Sequence, residues 1–564
     1  MIILQRLRLA IASIMLFNAL PALSSEPHNL APDHSNYSSA DTELKNFDFD
    51  SIFFDEQDYD PFSNEFLDTV GNDHMNRGPS PEIIIEFLLG LGVLNILKEP
   101  LFLHTNELNK RSLLDQPIFE PDRPQFPGLW VVGASAFANK TNRSNFTKNS
   151  DRFDSYVALT QQSLLEKLAN SVNKITDLAP ALSVDAAQIL GLFANMTIEQ
   201  RQVGFMLHCT KKTHKTTFRI LAPLYYLENN FSLTPKELDA VAEVFGESDP
   251  EEEKQFRKAH FINDKIGLGD TRIEIDQRIL KRPSFTLRLG GLATIPTAWA
   301  WGEGFQGSSY SKPSTLPTLN LDPLFEAITN PNPTTEGIAL ESIGDFALDS
   351  FDRIAANLID MPLGNNRHLG IGGYMRGKTS LSSMINTPFA ERISFCNRIS
   401  LELFLPSTEQ RFYINKINQQ ELDNYNFSND EEAAANLIFL EEKIVERLFL
   451  RAFNTRIRPG AIFRWSSQAE YTGKRFGFNL GSDFWLQDKA KFSTIHASPV
   501  ALKQIDVAKA QQPIAYQSKI FGGLIFKHKT PQNCWFISLN TDASISNKGI
   551  GQDYTLSLNF EASF

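Results

Sequence analysis

Residues 554–564 alternate without a fault. Tyr554, Leu556, Leu558, Phe560, Ala562 and Phe564 fall on one face of an extended strand, and Thr555, Ser557, Asn559, Glu561 and Ser563 on the other. Period two marks a strand with one apolar face. Eleven residues is also the length of one tilted strand crossing the hydrocarbon core of a bilayer. A strand half-buried in a soluble sandwich would alternate too, but it would seldom end on its last apolar residue.

The pattern recurs upstream. Ile457, Ala461, Phe463, Trp465, Ala469 and Tyr471 oppose Arg456, Arg458, Arg464, Gln468 and Glu470. After only Thr472-Gly473-Lys474, Phe476, Phe478, Leu480 and Phe484 oppose Arg475, Asn479 and Asp483, which reads as a hairpin. The same test gives strands at 129–138, 202–210, 215–226, 265–276, 283–294, 368–376, 392–405, 456–471, 475–486, 515–527, 534–543 and 552–564. That is about twelve, with ten to sixteen open, and an even number suits a closed antiparallel barrel. Connections after the second, fourth, eighth and tenth strands are short, and those after the first, third, fifth, seventh and ninth are long. The one after the sixth, 377–391, is intermediate. A membrane barrel sorts short turns and long loops to opposite ends, whereas a soluble sandwich has no reason to.

The terminal strand resembles the C-terminal assembly signal of bacterial outer-membrane proteins, carried here by Tyr554, Leu556, Leu558, Phe560 and Phe564. Ala562 departs from it, since a larger residue is usual there. The run Ile266-Gly267-Leu268-Gly269-Asp270-Thr271-Arg272 is similar to a Gly-x-Gly-Asp strand start met in several such barrels. The resemblance implies an all-β chain: an antiparallel transmembrane β-barrel with helical loop insertions, embedded in outer-membrane lipid by the barrel-assembly machinery.

The N-terminal part reads differently. Arg6 and Arg8 precede an apolar run over 9–20, then Pro21-Ala22-Leu23-Ser24-Ser25, so 1–24 is expected to be a signal peptide for Sec-type export. Residues 25–128 form an irregular extension, and 129–564 the barrel. Asp41 to Asp68 carries ten acids against Lys45, interleaved with Phe47, Phe49, Phe53, Phe54, Tyr59, Phe62 and Phe66. Such sequence is expected either to be disordered alone or to dock, on a partner or back into the barrel mouth. The apolar stretch 82–103 carries Glu86 and is too short to span, so a packed helix is expected. Helices are also expected at 164–192, at 346–358 and after Asp430-Glu431-Glu432, whose carboxylates suit a helix N-terminus.

Composition agrees with a barrel. The chain is 42% hydrophobic and 21% charged, with mean hydropathy −0.23, too polar for a bundle of membrane helices. Net charge is −12, or −14 once Arg6 and Arg8 leave, and no basic cluster invites nucleic acid. Cys209, Cys396 and Cys534 are too few for a disulfide framework. No nucleophile elbow, Walker loop, dinucleotide fingerprint or metal-ligand spacing among the ten histidines is present, so no enzyme, cofactor or metal site is expected.

The polar face of the strands is the candidate site. Its expected bases are Arg219, Arg272, Arg288, Arg376, Arg398, Arg456, Arg458, Arg464, Arg475, Lys519 and Lys527, and its expected acids Asp270, Glu274, Asp276, Glu402, Glu470, Asp483 and Asp542. Of these, Arg288, Arg398, Arg456, Arg458, Arg464, Arg475, Glu402, Glu470 and Asp483 are the expected pore lining, with a base excess mildly favouring anions. The expected function is a porin-like channel for passive diffusion of small hydrophilic solutes, alone or as a homo-oligomer. The alternative is a plugged barrel acting in adhesion or partner binding through its long loops.

Overall fold

The computed structural model describes residues 97–98, 104–105, 110–117, 130–142, 198–231, 250–301, 316, 319–329, 332–424, 433–529 and 534–563, apart from positions 283, 384, 386 and 388. Its strands are β1 (Trp130–Asn142), β2 (Ile198–Lys212), β3 (Thr216–Phe231), β4 (Ile262–Leu268), β5 (Thr271–Lys281), β6 (Phe285–Ile295), β7 (Trp299–Trp301), β8 (Gly370–Ser380), β9 (Ile393–Phe404), β10 (Ser407–Tyr413), β11 (Arg451–Arg458), β12 (Ile462–Thr472), β13 (Phe476–Gln487), β14 (Lys491–Ile495), β15 (Ala515–Lys529), β16 (Cys534–Lys548) and β17 (Gln552–Ser563).

The large sheet runs β2-β1-β17-β16-β15-β13-β12-β9-β8-β6-β5-β3-β4-β7, and β2 also pairs with β3, which closes it. β4 and β5 form one strand interrupted at Gly269-Asp270. β4 pairs with one half of β3 (Leu224 opposite Leu268) and β5 with the other (Leu221 opposite Arg272). β7 continues β6 in the same way, pairing with β4. The wall therefore has twelve strands, one at each expected place. Two readings are corrected. The Gly-x-Gly-Asp run is a break inside a strand rather than its start: Gly269 N donates to the Pro223 carbonyl (2.8 Å), and the Asp270 carboxylate accepts from Asn365 N (2.7 Å). The stretch 456–471 is two strands, β11 and β12, parted at Pro459-Gly460. Proline cannot donate to a ladder, and a Cβ on Gly460 would lie 1.7 Å from the Asp488 carbonyl oxygen.

Short turns gather at one end, with 213–215 between β2 and β3 and 473–475 between β12 and β13. The start of β1 and the end of β17 lie at this turn end, where Val131 pairs with Ser563. The strand ends that flank the connections 143–197, 232–261, 302–369, 405–461 and 488–514 lie at the other, the loop end. At the loop end β16 and β17 are joined tightly through Gly549 at φ +66°, a conformation that suits glycine.

Burial alternates along the wall with the sense opposite to a soluble protein. On β17, Tyr554, Leu556, Leu558 and Phe560 are half exposed, while Asp553, Thr555, Ser557, Asn559 and Glu561 are buried. Val203, Phe205 and Leu207 on β2 and Ile399, Leu401 and Leu403 on β9 likewise point outward. Aromatic rows border this apolar belt. Near the turn end Tyr471 stacks on Phe478 (5.2 Å between centroids), and Phe526 meets Phe476 (5.3 Å) and Trp535 (5.6 Å). Near the loop end Phe484 meets Phe463 and Tyr516, each at 6.4 Å. The two rows are eight residues apart on β12, roughly 20 Å along the barrel axis for a strand tilted about 40°. An apolar belt between aromatic girdles around a closed antiparallel wall is the architecture of outer-membrane barrels. Among the described residues no helix is long and apolar enough to cross a membrane.

The loops carry α1 (Pro250–His260), α2 (Asp322–Thr329), α3 (Pro333–Ile359), α4 (Gln419–Asn424), α5 (Ala433–Leu448), α6 (Pro499–Gln504) and α7 (Val507–Ala510). α3 contains the expected 346–358 helix and starts earlier. Asn332 caps the amides of Thr334 and Thr335, Thr335 answers the Asn332 amide, and Pro333 presets the first turn. α5 is the helix expected after Asp430-Glu431-Glu432. The expected helix at 164–192, the signal peptide and the acidic aromatic stretch lie outside the described residues. So does 82–103, except for Leu97 and Lys98, which are helical. β10, β11 and β14 form a separate three-stranded sheet at the loop end, packed with α6 and α7 around Tyr413, Phe453, Ala501, Ile505 and Ala510. Cys209 is a free thiol, and Cys396 is buried on β9.

Candidate functional site in the barrel interior

The inward face of the wall has two regions. One is an apolar cluster on parts of β1, β2 and β3: Phe137, Met206, Leu221, Tyr225, Leu227 and Phe231 pack with the last turns of α3 (Phe351, Ala355, Leu358, Ile359). Elsewhere the face is charged and hydrogen-bonded. Glu274 accepts from Arg219 and Arg398, both at 2.8 Å, and the Arg398 guanidinium lies over the Tyr374 ring at 4.3 Å. Arg288 pairs with Asp276 and donates to Thr217 Oγ1 (2.6 Å). Lys519, with no exposed surface, reaches Asp542 (2.9 Å) and Asp553 (2.6 Å). Toward the turn end, His208 Nε2 lies 3.2 Å from Glu561.

A segment from outside the wall completes this interior. Residues 110–117 include a single helical turn, Leu113–Asp115, started by the Ser112 hydroxyl. Arg111 pairs with Asp483 and binds its own segment's Asp115 carbonyl (2.6 Å). Asp115 accepts from Arg272 (2.7 Å), which also reaches Glu402 (2.8 Å). Gln116 Oε1 accepts from Lys519 Nζ (2.6 Å). Leu113 and Leu114 face the opposite way, into the apolar cluster. The segment is thus a wedge, apolar toward β1–β3 and polar toward β5, β13 and β15, seated in the half of the lumen nearer the loops.

The expected lining residues divide accordingly. Arg288, Arg398, Arg464, Glu402, Glu470 and Asp483 are on inward positions; Arg464 bonds Asp483 (2.8 Å), and Lys378 reaches Glu470 (3.3 Å). Arg456 and Arg458 are not on the wall: both are exposed on β11 of the small sheet. Arg475 is exposed in the β12–β13 turn. Sequence reading missed Asp553, Glu561 and the whole wedge. Of the eleven expected wall bases eight remain and Lys378 joins them, while the seven expected acids become nine with Asp553 and Glu561, so among these described residues the expected base excess gives way to balance.

Above the wedge the cap is pinned to the rim. Arg411 Nε donates to Glu409 (3.1 Å), and His368 Nε2, just before β8, lies 3.8 Å from it. Burial pushes the Glu409 carboxyl up, but Arg411 and then His368 outweigh it and hold it down to about 2. His260 at the end of α1 meets buried Asp352 of α3 at 2.6 Å.

No protein-family model matches the sequence, and no curated protein matches it. Solved structures do. An outer membrane channel from Pseudomonas putida F1 aligns over 79% of this chain and 99% of its own, with 8% identity and TM-score 0.38. The Pseudomonas putida toluene transporter TodX aligns over 82% and 95%, at 7% identity and TM-score 0.28. The NanC porin aligns over 65% and 93%, at 9% and 0.23. Likeness this distant says nothing of what passes through this chain.

Proposed function

We propose that this protein is an outer-membrane channel for small hydrophilic solutes, closed in the state described here by residues 110–117. The observation that carries the reading is the origin of the interior contacts. Asp483, Arg272 and Lys519 of the wall take partners from a separate segment rather than only from neighbouring strands. Twelve strands enclose a lumen wider than the eight-stranded kind that wall side chains alone can fill, so without this segment a path would stay open. A polar wall closed by a removable wedge is a polar path with a stopper. The wall then sorts solutes by paired charges of both signs, without a built-in preference for anions. Export by a Sec-type signal peptide, insertion by the barrel-assembly machinery, and a transport rather than enzymatic role belong to the same proposal.

The test is solute uptake into proteoliposomes. Protein in which 110–117 is replaced by a Gly/Ser linker of equal length should admit small sugars and inorganic ions faster than wild type. Equal, negligible uptake by both would refute a channel. It would favour the second reading, a plugged barrel that binds partners through its loops, which the ordered cap of β10, β11, β14, α6 and α7 supports.

A further inference from the structure

We infer that the chain enters the barrel from the loop end and crosses the lumen toward the turn end, so that the residues preceding His104 are delivered to the outer side of the membrane. The inference goes beyond the channel reading and rests on one part of it, that the long loops face outward.

Three fixed points carry it. The first is Thr105, fully buried in the cap: its amide donates to the Lys509 carbonyl of α7 (2.9 Å), and its carbonyl accepts from Asn357 Nδ2 of α3 (3.4 Å). Both partners belong to loop-end connections. The second is the wedge, held inside the lumen through Arg111, Asp115 and Gln116. The third is Trp130, which opens β1 at the turn end, opposite Lys211 beside the β2–β3 turn. Read in chain order, these points run from the outer cap, through the lumen, to the inner rim.

The route between the second and third points is constrained by chemistry. From Gln116 to Trp130 the chain can reach about 45–50 Å, ample for the depth of the lumen. The other path leads over the outer rim and down the outside of the wall. There the backbone would lie in hydrocarbon with its N–H and C=O groups unpaired. The wall is closed by the β2–β3 pairing, and among the described residues its one strand with a single neighbour, β7, is three residues long at the loop-end rim and gives no edge along the depth of the wall. The lumen is the path left. The barrel therefore holds its own extension across the membrane, with the cap contact at Thr105 on the outer side.

The experiment uses the full-length protein in cells, with an epitope at one of three places. One lies ahead of residue 104, one beside exposed Glu251 in α1 of an outer loop, and one at exposed His214 in the β2–β3 turn. Antibody is applied before and after the outer membrane is permeabilised. The first two epitopes should bind on intact cells and the third only after permeabilisation. An N-terminal epitope cut off and recovered from the medium also supports the inference. Binding at 251 on intact cells, with the N-terminal epitope reached only after permeabilisation or released to the periplasm, overturns the threading and leaves the orientation standing. Binding at 214 on intact cells overturns the orientation, and the inference with it.

Discussion

Lys519→Met tests whether the lumen is filled or watery. The ammonium sits between Asp542 and Asp553 at 2.9 and 2.6 Å, with Gln116 at 2.6 Å. Methionine fills similar volume, so packing changes little while the charge disappears. Two buried carboxylates are then left facing each other. Asp553 keeps the Gln517 amide (2.8 Å), but Asp542 loses the cation that compensates its burial. Removing one partner of a buried pair costs about 3–5 kcal/mol. In an open aqueous pore the same pair would be screened and worth about 0–1 kcal/mol. Urea unfolding of the barrel in lipid vesicles, followed by heat-modifiable mobility, reads the difference. Lys519→Met should lose about 3 kcal/mol or more, and adding Asp542→Asn should restore much of it. A loss below about 1 kcal/mol, with no coupling to Asp542, would refute the filled interior.

Leu558→Arg, mid-strand on the outer face and 54% exposed, should cost about 2–4 kcal/mol in the same assay if lipid covers it; a loss under about 1 kcal/mol would mean that it faces water. Asn559→Arg is not the mild control that alternation alone suggests, because Asn559 accepts from Ser135 (2.8 Å) and donates to Glu561 (3.1 Å) in a packed interior; it too should destabilise. Deleting Phe564 should slow insertion into vesicles carrying the assembly machinery, and unchanged yield would remove the assembly-signal reading. Because the folded pKa of Glu409 is depressed, its contribution is complete above its unfolded value near 4.5 and drains away as pH falls toward about 2. Amide protection over 407–413, corrected for intrinsic exchange, should fall through that window in wild type. In Glu409→Gln it should stay at one low level.

The wall was legible because one physical rule, apolar out and polar in with period two, writes itself into every strand that faces lipid. The end of each strand was less so: Pro459-Gly460 lay inside the expected 456–471 strand, and giving those two residues their weight as breakers would have removed Arg456 and Arg458 from the lining. Arg475 followed the alternation but sits where the chain turns. Asp553 and Glu561 share the parity of Asn559 and could have been added from sequence. The wedge could not. Arg111-Ser112-Leu113-Leu114-Asp115 has no periodicity of its own, and its partners Asp483, Arg272 and Lys519 lie 157 to 403 positions away in the chain. Only closure of the wall brings them to it.

Single-channel recording in a planar bilayer tests the central claim most directly: the lumen holds a polar path that residues 110–117 close. Wild-type protein should be silent or open only briefly. Arg111→Ala with Asp115→Ala, which frees the wedge from Asp483 and Arg272 without touching the wall, should open in long, well-defined steps with weak ion preference. Steady wild-type conductance that the double variant leaves unchanged would contradict the account, and so would a folded, inserted variant that never conducts.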